Sequence, residues 1–378
     1  MKKLSLYFFM FLAIAVSSNG QNRFVLEGTV GKYPIVMKIE SRPDGNLTAL
    51  YFYKNHRHDI ELNGKQQFVE LGALALISEK YDSKSTKSMI VESFSIKSTG
   101  NKSLNEWIGE WHDQKGNTLP VKLKPLDTLP YHFEQVPDFG FENEEERIYK
   151  KARLSGIKFI KDSITRYQSY ELQWIHETAS RIKSFVLVNG FSPPLLEKIN
   201  KVMHKSFFSN IDGYYSCTGT GGGDFETAIN GYFISPEYIS VHAKLFTICG
   251  GVHPNSGDNS FTIDAKTGNE ISSLDQIFWF TGKKPLQEKD PAYYDYIDER
   301  TKAIMGILTK LYPSQMKKKA AEDDCDYSHP YPWQFPTWYF TAKGLFIGAV
   351  FPHANEACDS PDFAIIPYAV LKQYLPKK

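Results

Sequence analysis

Two histidines one residue apart, His56 and His58, would lie on one face of a strand, a spacing at which imidazoles can hold zinc or copper. Such a site needs a further ligand, and Asp59 would point the other way, so a solvated loop is the expected state of His56-Arg57-His58. His176-Glu177 begins like a zinc-protease helix, but Ser180 stands where the second histidine is required. A Gly-x-Ser-x-Gly nucleophile elbow does not occur. Ser-x-x-Lys occurs at Ser155–Lys158, Ser180–Lys183 and Ser314–Lys317 without any Ser-Asp-Asn, and Lys266-Thr267-Gly268 is explained by a hairpin turn. The glycine-rich run Thr218-Gly219-Thr220-Gly221-Gly222-Gly223-Asp224 lacks the Gly-Lys-Ser/Thr of a phosphate loop, and a flexible connection is expected there. These patterns assign no catalytic residue, metal or cofactor.

Side chains suited to binding are easier to place. Tyr327-Ser328-His329-Pro330-Tyr331-Pro332-Trp333-Gln334-Phe335-Pro336 carries too many prolines for a central strand. An extended loop could present Tyr327, Tyr331 and Trp333 to a partner, or lay them over the core beneath. His253 and Asn255 follow a Gly250-Gly251 pair and flank Pro254 in a tight turn. There the His253 imidazole either contacts a ligand or ties the turn to backbone. His242 sits on a strand with no third metal ligand apparent.

The elements that must hold these residues fall into two regions. Between residues 21 and 127 the apolar positions recur with period two: Ile35, Met37 and Ile39, then Leu47, Ala49, Tyr51 and Tyr53. Phe94 and Ile96, Trp107 and Trp111, and Val121 and Leu123 continue the pattern. Turns are expected at Pro43-Asp44-Gly45-Asn46 and at Asn63-Gly64. The expectation is an antiparallel β domain of about seven strands, a small barrel or curled sheet. Residues 128–149 form a linker broken by Pro130, Pro137 and Gly140, with a helix opening at Glu142 to Glu146.

From residue 150 to 378 an α+β domain is expected, with helices on an antiparallel sheet. Ser192-Pro193-Pro194 starts one helix, carrying Leu195, Leu196, Ile199, Val202, Met203 and Phe207 at helical spacing. A second helix carries Ile297, Thr301, Ile304, Leu308 and Leu311 and stops at Pro313. Strands are expected at 226–234, 238–248, 259–264, 336–342 and 345–351, and a short helix closes the chain.

Lys2 and Lys3, the apolar run Leu6 to Val16 and the small residues Ser18-Asn19-Gly20 predict a secretory leader over residues 1–20. The apolar run is short for a membrane span, and no later segment is long enough for one. The expected destination is the periplasm or the medium. The net charge of +1 falls to −1 once Lys2 and Lys3 are lost, and without a basic block the chain is not expected to bind nucleic acid. Cys217, Cys249, Cys325 and Cys358 are an even set in an exported chain and predict two disulfides. Cys217–Cys249 and Cys325–Cys358 each bracket an expected hairpin; Cys249–Cys358 is the alternative.

Gly250-Gly251-Val252-His253-Pro254-Asn255, Asp264-Ala265-Lys266-Thr267-Gly268, Leu274 to Phe278, Phe340-Thr341 through Gly344-Leu345, and Ile366-Pro367-Tyr368-x-x-Leu371 occur in that order. Together they resemble the RsiV-like extracytoplasmic domain with its usual N-terminal partner, over residues 150–378. The resemblance implies a recognition or regulatory module, since members include anti-sigma factors that sense lysozyme and accessory domains of peptidoglycan deacetylases. Val252 replaces the more usual alanine, and Phe351 to Cys358 departs from the Tyr- and Pro-containing loop of relatives. The paired-histidine pattern of the deacetylase catalytic domains is absent. The expected function is non-enzymatic recognition of an envelope protein or glycan. The alternative is an enzyme on peptidoglycan or another envelope polysaccharide, built on acids such as Asp224, Asp264 and Asp362.

Overall fold

The computed structural model describes residues 22–42, 44–68, 73–82, 87–99, 106–219, 222–250, 253–318 and 325–376. The predicted leader, Pro43, Thr220, Gly221, Gly251, Val252 and Lys319 lie outside the described residues. The chain divides into two units, Met1–Tyr51 with Glu61–Leu126, and Phe52–Ile60 with Asp127–Lys378.

The first unit is a closed antiparallel barrel. Its strands are β1 (Asn22–Val30), β2 (Tyr33–Ser41), β3 (Asn46–Tyr53), β4 (Ile60–Phe68), β5 (Ala73–Asp82), β6 (Lys87–Ser98), β7 (Trp107–Asp113) and β8 (Thr118–Pro125). They pair in sequence order, and β1 pairs with β8, so closure leaves no free edge. The period-two residues meet inside: Ile35, Met37, Ile39, Leu47, Ala49, Tyr51, Phe94, Ile96, Val121 and Leu123 are buried. A carboxylate joins them. Glu92 accepts hydrogen bonds from Tyr51 Oη at 2.7 Å and Trp111 Nε1 at 2.8 Å, and burial raises its pKa despite these donors.

Asn63-Gly64 is not a turn. Both residues lie inside β4, paired with Ile77 and Leu76 of β5. A Cβ on Gly64 would stand 2.1 Å from the Ala75 carbonyl oxygen, so the glycine marks a close backbone approach in a coiled barrel strand.

In the second unit α1 spans Glu144–Leu154. It begins two residues later than the acidic run suggests because Asn143 is the cap: its Oδ1 accepts from Glu146 N at 2.9 Å. A first antiparallel sheet holds β9 (Phe159–Tyr167), β10 (Tyr170–Glu177) and β11 (Lys183–Leu187) in the order β11-β10-β9. Helix α2 (Pro193–Cys217) runs ten residues past Phe207, the last apolar position assigned to it from spacing. Ser192 makes no side-chain capping bond, so the fixed φ of Pro193 starts the helix.

A second sheet contains β12 (Asp224–Ile234), β13 (Tyr238–Ile248), β14 (Asn255–Asp258), β15 (Phe261–Asp264) and β16 (Glu270–Ile271). Their order is β12-β13-β15-β16, with β14 also paired to β13. Helix α3 (Tyr293–Leu311) follows, then a third sheet of β17 (Thr337–Phe340), β18 (Gly344–Gly348) and β19 (Ile365–Pro367), and α4 (Tyr368–Leu371). The unit is thus α+β, with its strands spread over three sheets rather than one.

The N-terminal half of α2 buries Ile199 and Met203 against Leu172, Phe185, Val241 and Ile263. Its C-terminal half buries Phe207, Ile211 and Tyr215 against Leu154, Ile175 and Ile182. Helix α3 and the third sheet enclose a separate core around Ile304, Leu308, Leu345 and Trp333. Among the described residues, no helix is long and apolar enough to cross a membrane.

Candidate functional site

A cleft of about 620 Å³ opens on the polar face of the second sheet. Its floor follows from strand register. Ala228, Lys244 and Asp258 lie side by side on β12, β13 and β14, and Glu226, Phe246 and Ser256 form the next row. Glu356, Ala357 and Asp359 form one wall from a 3-10 segment, His353–Cys358, and the residue after it. Ser180, Arg181 and Ile182, between β10 and β11, contribute to the lining as well. Phe246 is 37% exposed although it stands among polar neighbours.

Asp258 is the electrostatic centre of the cleft. Only 2% of its side chain is exposed, yet it receives three donors: His242 Nε2 at 2.8 Å, Lys244 Nζ at 2.9 Å and the Ser360 hydroxyl. Burial alone would raise this carboxyl, but bonds from His242, Ser360 and Lys244 hold it down at about 2. His242 is itself stacked on Tyr339, 4.2 Å away and 11° from parallel, so the strand histidine is anchored on both sides. Burial, with the nearby charges of Asp258 and Asp362, pushes the Tyr339 phenol up to about 12.

Serine, aspartate and histidine meet here in an order that cannot activate a hydroxyl. Asp258 lies between Ser360 and His242, whereas a nucleophilic serine needs the imidazole at its own oxygen. The two wall carboxylates shift in opposite directions. Burial and the charges of Asp258 and Glu356 raise Asp359, although Phe351 N donates to it at 2.6 Å. Burial would raise Glu356, but Ser256 N at 3.3 Å and His353 Nδ1 at 3.0 Å together lower it.

Both predicted disulfides are formed. Cys217–Cys249 fixes the end of β13, from which the connection to β14 departs; Cys325–Cys358 fixes the wall segment. Among the described residues of the Gly250–Asn255 turn, His253 and Asn255 are exposed, immediately before the Ser256–Asp258 part of the cleft. The His253 ring lies edge-on to His353 at 6.3 Å.

The aromatic loop divides. Trp333 is fully buried, its Nε1 donating to the Tyr327 carbonyl at 2.9 Å, so it is core and not a surface for a partner. Apolar burial outweighs presentation because the ring fills the core beneath β18 and α3. Tyr327 is half-buried, its hydroxyl donating to the Cys358 carbonyl at 2.9 Å. Tyr331 alone of the three stands out, 56% exposed. None of Asp224, Asp264 and Asp362 lines the cleft; Asp264 instead accepts from the Lys266 and Thr267 amides of its own turn.

Other sequence candidates resolve structurally. His56-Arg57-His58 is a loop with His56 exposed, as expected, but its other two residues are half-buried and held: Arg57 donates to the carbonyls of Arg153 and Ser155, and His58 Nδ1 lies 2.8 Å from Thr218 Oγ1. Among the described residues no cluster of three or more His, Cys, Asp or Glu is placed to hold a metal. Gly219 is required by packing, since a Cβ there would stand 1.8 Å from the Asp59 carbonyl oxygen. No protein-family model matches the sequence, and no curated protein matches it.

Proposed function

We propose that the chain is an exported, non-enzymatic cell-envelope protein whose second unit is an RsiV-like domain that recognises a protein or glycan partner in the cleft around Phe246 and Asp258. The observation that carries this reading is the pairing of an exposed aromatic with polar groups already fixed by one another. Lys244 and Asp258 are joined at 2.9 Å, so they meet a ligand without first being ordered. Phe246 offers an apolar face for a sugar ring or side chain, and Glu226, Glu356 and Asp359 offer acceptors. Two disulfides support an oxidising compartment, hence the periplasm or the medium. The Gly250–Asn255 segment, which carries much of the family resemblance, leads directly into the cleft floor.

Immobilised mature protein, exposed in parallel to its own envelope extract, to lysozymes and to peptidoglycan fragments, tests this. Saturable capture that weakens about tenfold in Phe246→Ala, with unchanged melting, is expected. Capture indifferent to Phe246 would remove the cleft from the account.

One observation favours the enzymatic alternative on an envelope polysaccharide. Asp359 is raised while its neighbours Asp258 and Glu356 are lowered, the division that separates a proton donor from an ionised carboxylate. Glycan cleavage abolished by Asp359→Asn would establish that reading in place of the first.

A further inference from the structure

The charges around Phe246 narrow what the cleft can take. Strand register sets Glu226 directly beside Phe246 on β12, and Ser256 directly beside it on β14. The bulge in β12 falls at Asn230, beyond these residues, so the register here is unbroken. Side chains opposed in this way stand about 5 Å apart at Cβ. Glu226 is exposed and makes no ion pair among the described residues. On the other side Glu356 Oε2 accepts from Ser256 N at 3.3 Å, so a second carboxylate borders the same row. His353 Nδ1 meets that same oxygen at 3.0 Å, which leaves Glu356 Oε1 without a partner among the described residues. The exposed ring thus lies between two carboxylates, and the face of an aromatic ring itself attracts a cation. All three groups favour the same kind of guest.

The rest of the lining does not cancel them. Lys244 lies two residues from Phe246 on the same face of β13, and Asp258 already holds it at 2.9 Å. Arg181, on the turn between β10 and β11, is the other cation of the lining. Against these two stand Glu226, Asp258, Glu356 and Asp359, an excess of two carboxylates. A neutral glycan gains nothing from that excess, and an acidic one is repelled by it.

The course of the cleft favours a polypeptide as the carrier of the cation. Phe225, Glu226, Thr227 and Ala228 all line it, although successive strand residues point to opposite faces. The outer edge of β12 is therefore itself part of the wall: β13 takes one side, and among the described residues no strand takes the other. Alternating N–H and C=O groups along such an edge suit an extended peptide. From a chain added there, β13 lies two strand spacings, about 10 Å, away. A lysine or arginine reaching inward across β12 brings its charge within the ~6 Å of a ring centroid at which a cation–π contact acts.

We propose that the cleft takes a basic, extended segment of a protein partner, with one lysine or arginine side chain seated on Phe246 between Glu226 and Glu356. This rests on the reading of the cleft as a binding site, and it narrows the partner from protein or glycan to a polypeptide with exposed positive charge.

Two defined probes test it on the mature protein: an extended peptide alternating lysine with serine, and the same peptide with glutamine in place of lysine. Fluorescence anisotropy should show saturable binding of the lysine peptide that weakens with added salt, and binding of the glutamine peptide about tenfold weaker. Glu226→Gln and Glu356→Gln should each weaken the lysine peptide by about threefold to fivefold with unchanged melting. Glutamine keeps the shape and, at position 356, an acceptor for Ser256 N. Phe246→Leu, which keeps an apolar side chain but removes the ring, should weaken binding by a similar factor. Arg181→Gln should instead strengthen it. Binding that needs Phe246 but is equal for the two peptides, or stronger for neutral peptidoglycan fragments, would overturn the basic partner and leave the cleft as a site. Failure of the lysine peptide to bind saturably would overturn the inference as well. If capture from envelope extract still depended on Phe246, the cleft would stand; if nothing depended on Phe246, the binding reading would fall with it.

Discussion

The barrel and the C-terminal unit solve the problem of holding side chains in place by different means. In the barrel one period-two pattern closes a single sheet, and the buried carboxylate Glu92 is held by two neutral donors, Tyr51 and Trp111. The C-terminal unit has three small sheets, and its fixed points are cross-links and ion pairs as well as apolar contacts. Arg153 is fully buried there, paired with Asp59 and Asp212 and bonded to Ser216 Oγ at 3.0 Å. Tyr149 Oη completes that cluster on Asp59 at 2.6 Å. Closure by pattern yields a scaffold; tethering of short segments yields a surface on which loops can carry a site.

The sharpest way to break this contrast is at Arg153. Removing it by Arg153→Met strands two buried carboxylates and should destabilise the C-terminal unit by about 3–5 kcal/mol in denaturant unfolding. Loss of less than about 1 kcal/mol would mean that apolar packing suffices there as it does in the barrel.

Cross-linking comes next. Each disulfide closes a loop of 32 or 33 residues, so the Cys→Ser pair at Cys217 and Cys249 or at Cys325 and Cys358 should cost about 3–4 kcal/mol. Dithiothreitol should lower the unfolding transition of the C-terminal unit and leave that of the barrel, which contains no cysteine, in place. Two-transition calorimetry measures both, and an equal shift of the two would contradict the contrast.

Within the barrel, Gly64→Val should cost about 2 kcal/mol or more, because the added side chain meets the Ala75 carbonyl. A neutral effect would mean that β4 bends less tightly than described.

The smallest expected effect is a titration. Asp258 has its folded pKa depressed from 3.8 to about 2, so its stabilisation is complete above 3.8 and is lost as pH falls toward 2. Unfolding of the wild type across that window should therefore show a pH dependence that Asp258→Asn lacks. A stability that rose on acidification through the same window would have the wrong sign.

Much of the fold was legible because its causes are local. Alternation at Ile35, Met37 and Ile39 fixes a face of β2, and Pro193 fixes the start of α2, whatever lies around them. Both disulfides could be paired because each bracketed a hairpin readable in advance. Asn63-Gly64 misled for the opposite reason: a turn dipeptide also serves where two strands approach closely, and only the pairing of β4 with β5 distinguishes the cases.

The candidate site was mostly hidden. Asp258 meets Ser360 across 102 residues of sequence, and Glu356 meets Ser256 across 100. Neither pairing leaves a local pattern. One signal was available: Lys244 and Phe246 share the exposed phase of β13, where an aromatic beside a lysine marks a surface with a use. Trp333 shows the converse, since a proline-rich context suggested presentation while the ring itself was filling the core.

The central claim is that a partner seats in the cleft of the C-terminal unit. Amide hydrogen exchange of the mature protein, measured with and without the ligand captured from envelope material, tests it most directly. The account predicts slowed exchange in Phe225–Ala228, Lys244–Phe246, Ser256–Asp258 and Glu356–Asp359, with the barrel strands and the Tyr331–Phe335 loop unchanged. Protection confined to that loop or to the barrel, with the cleft segments unaffected, would contradict it.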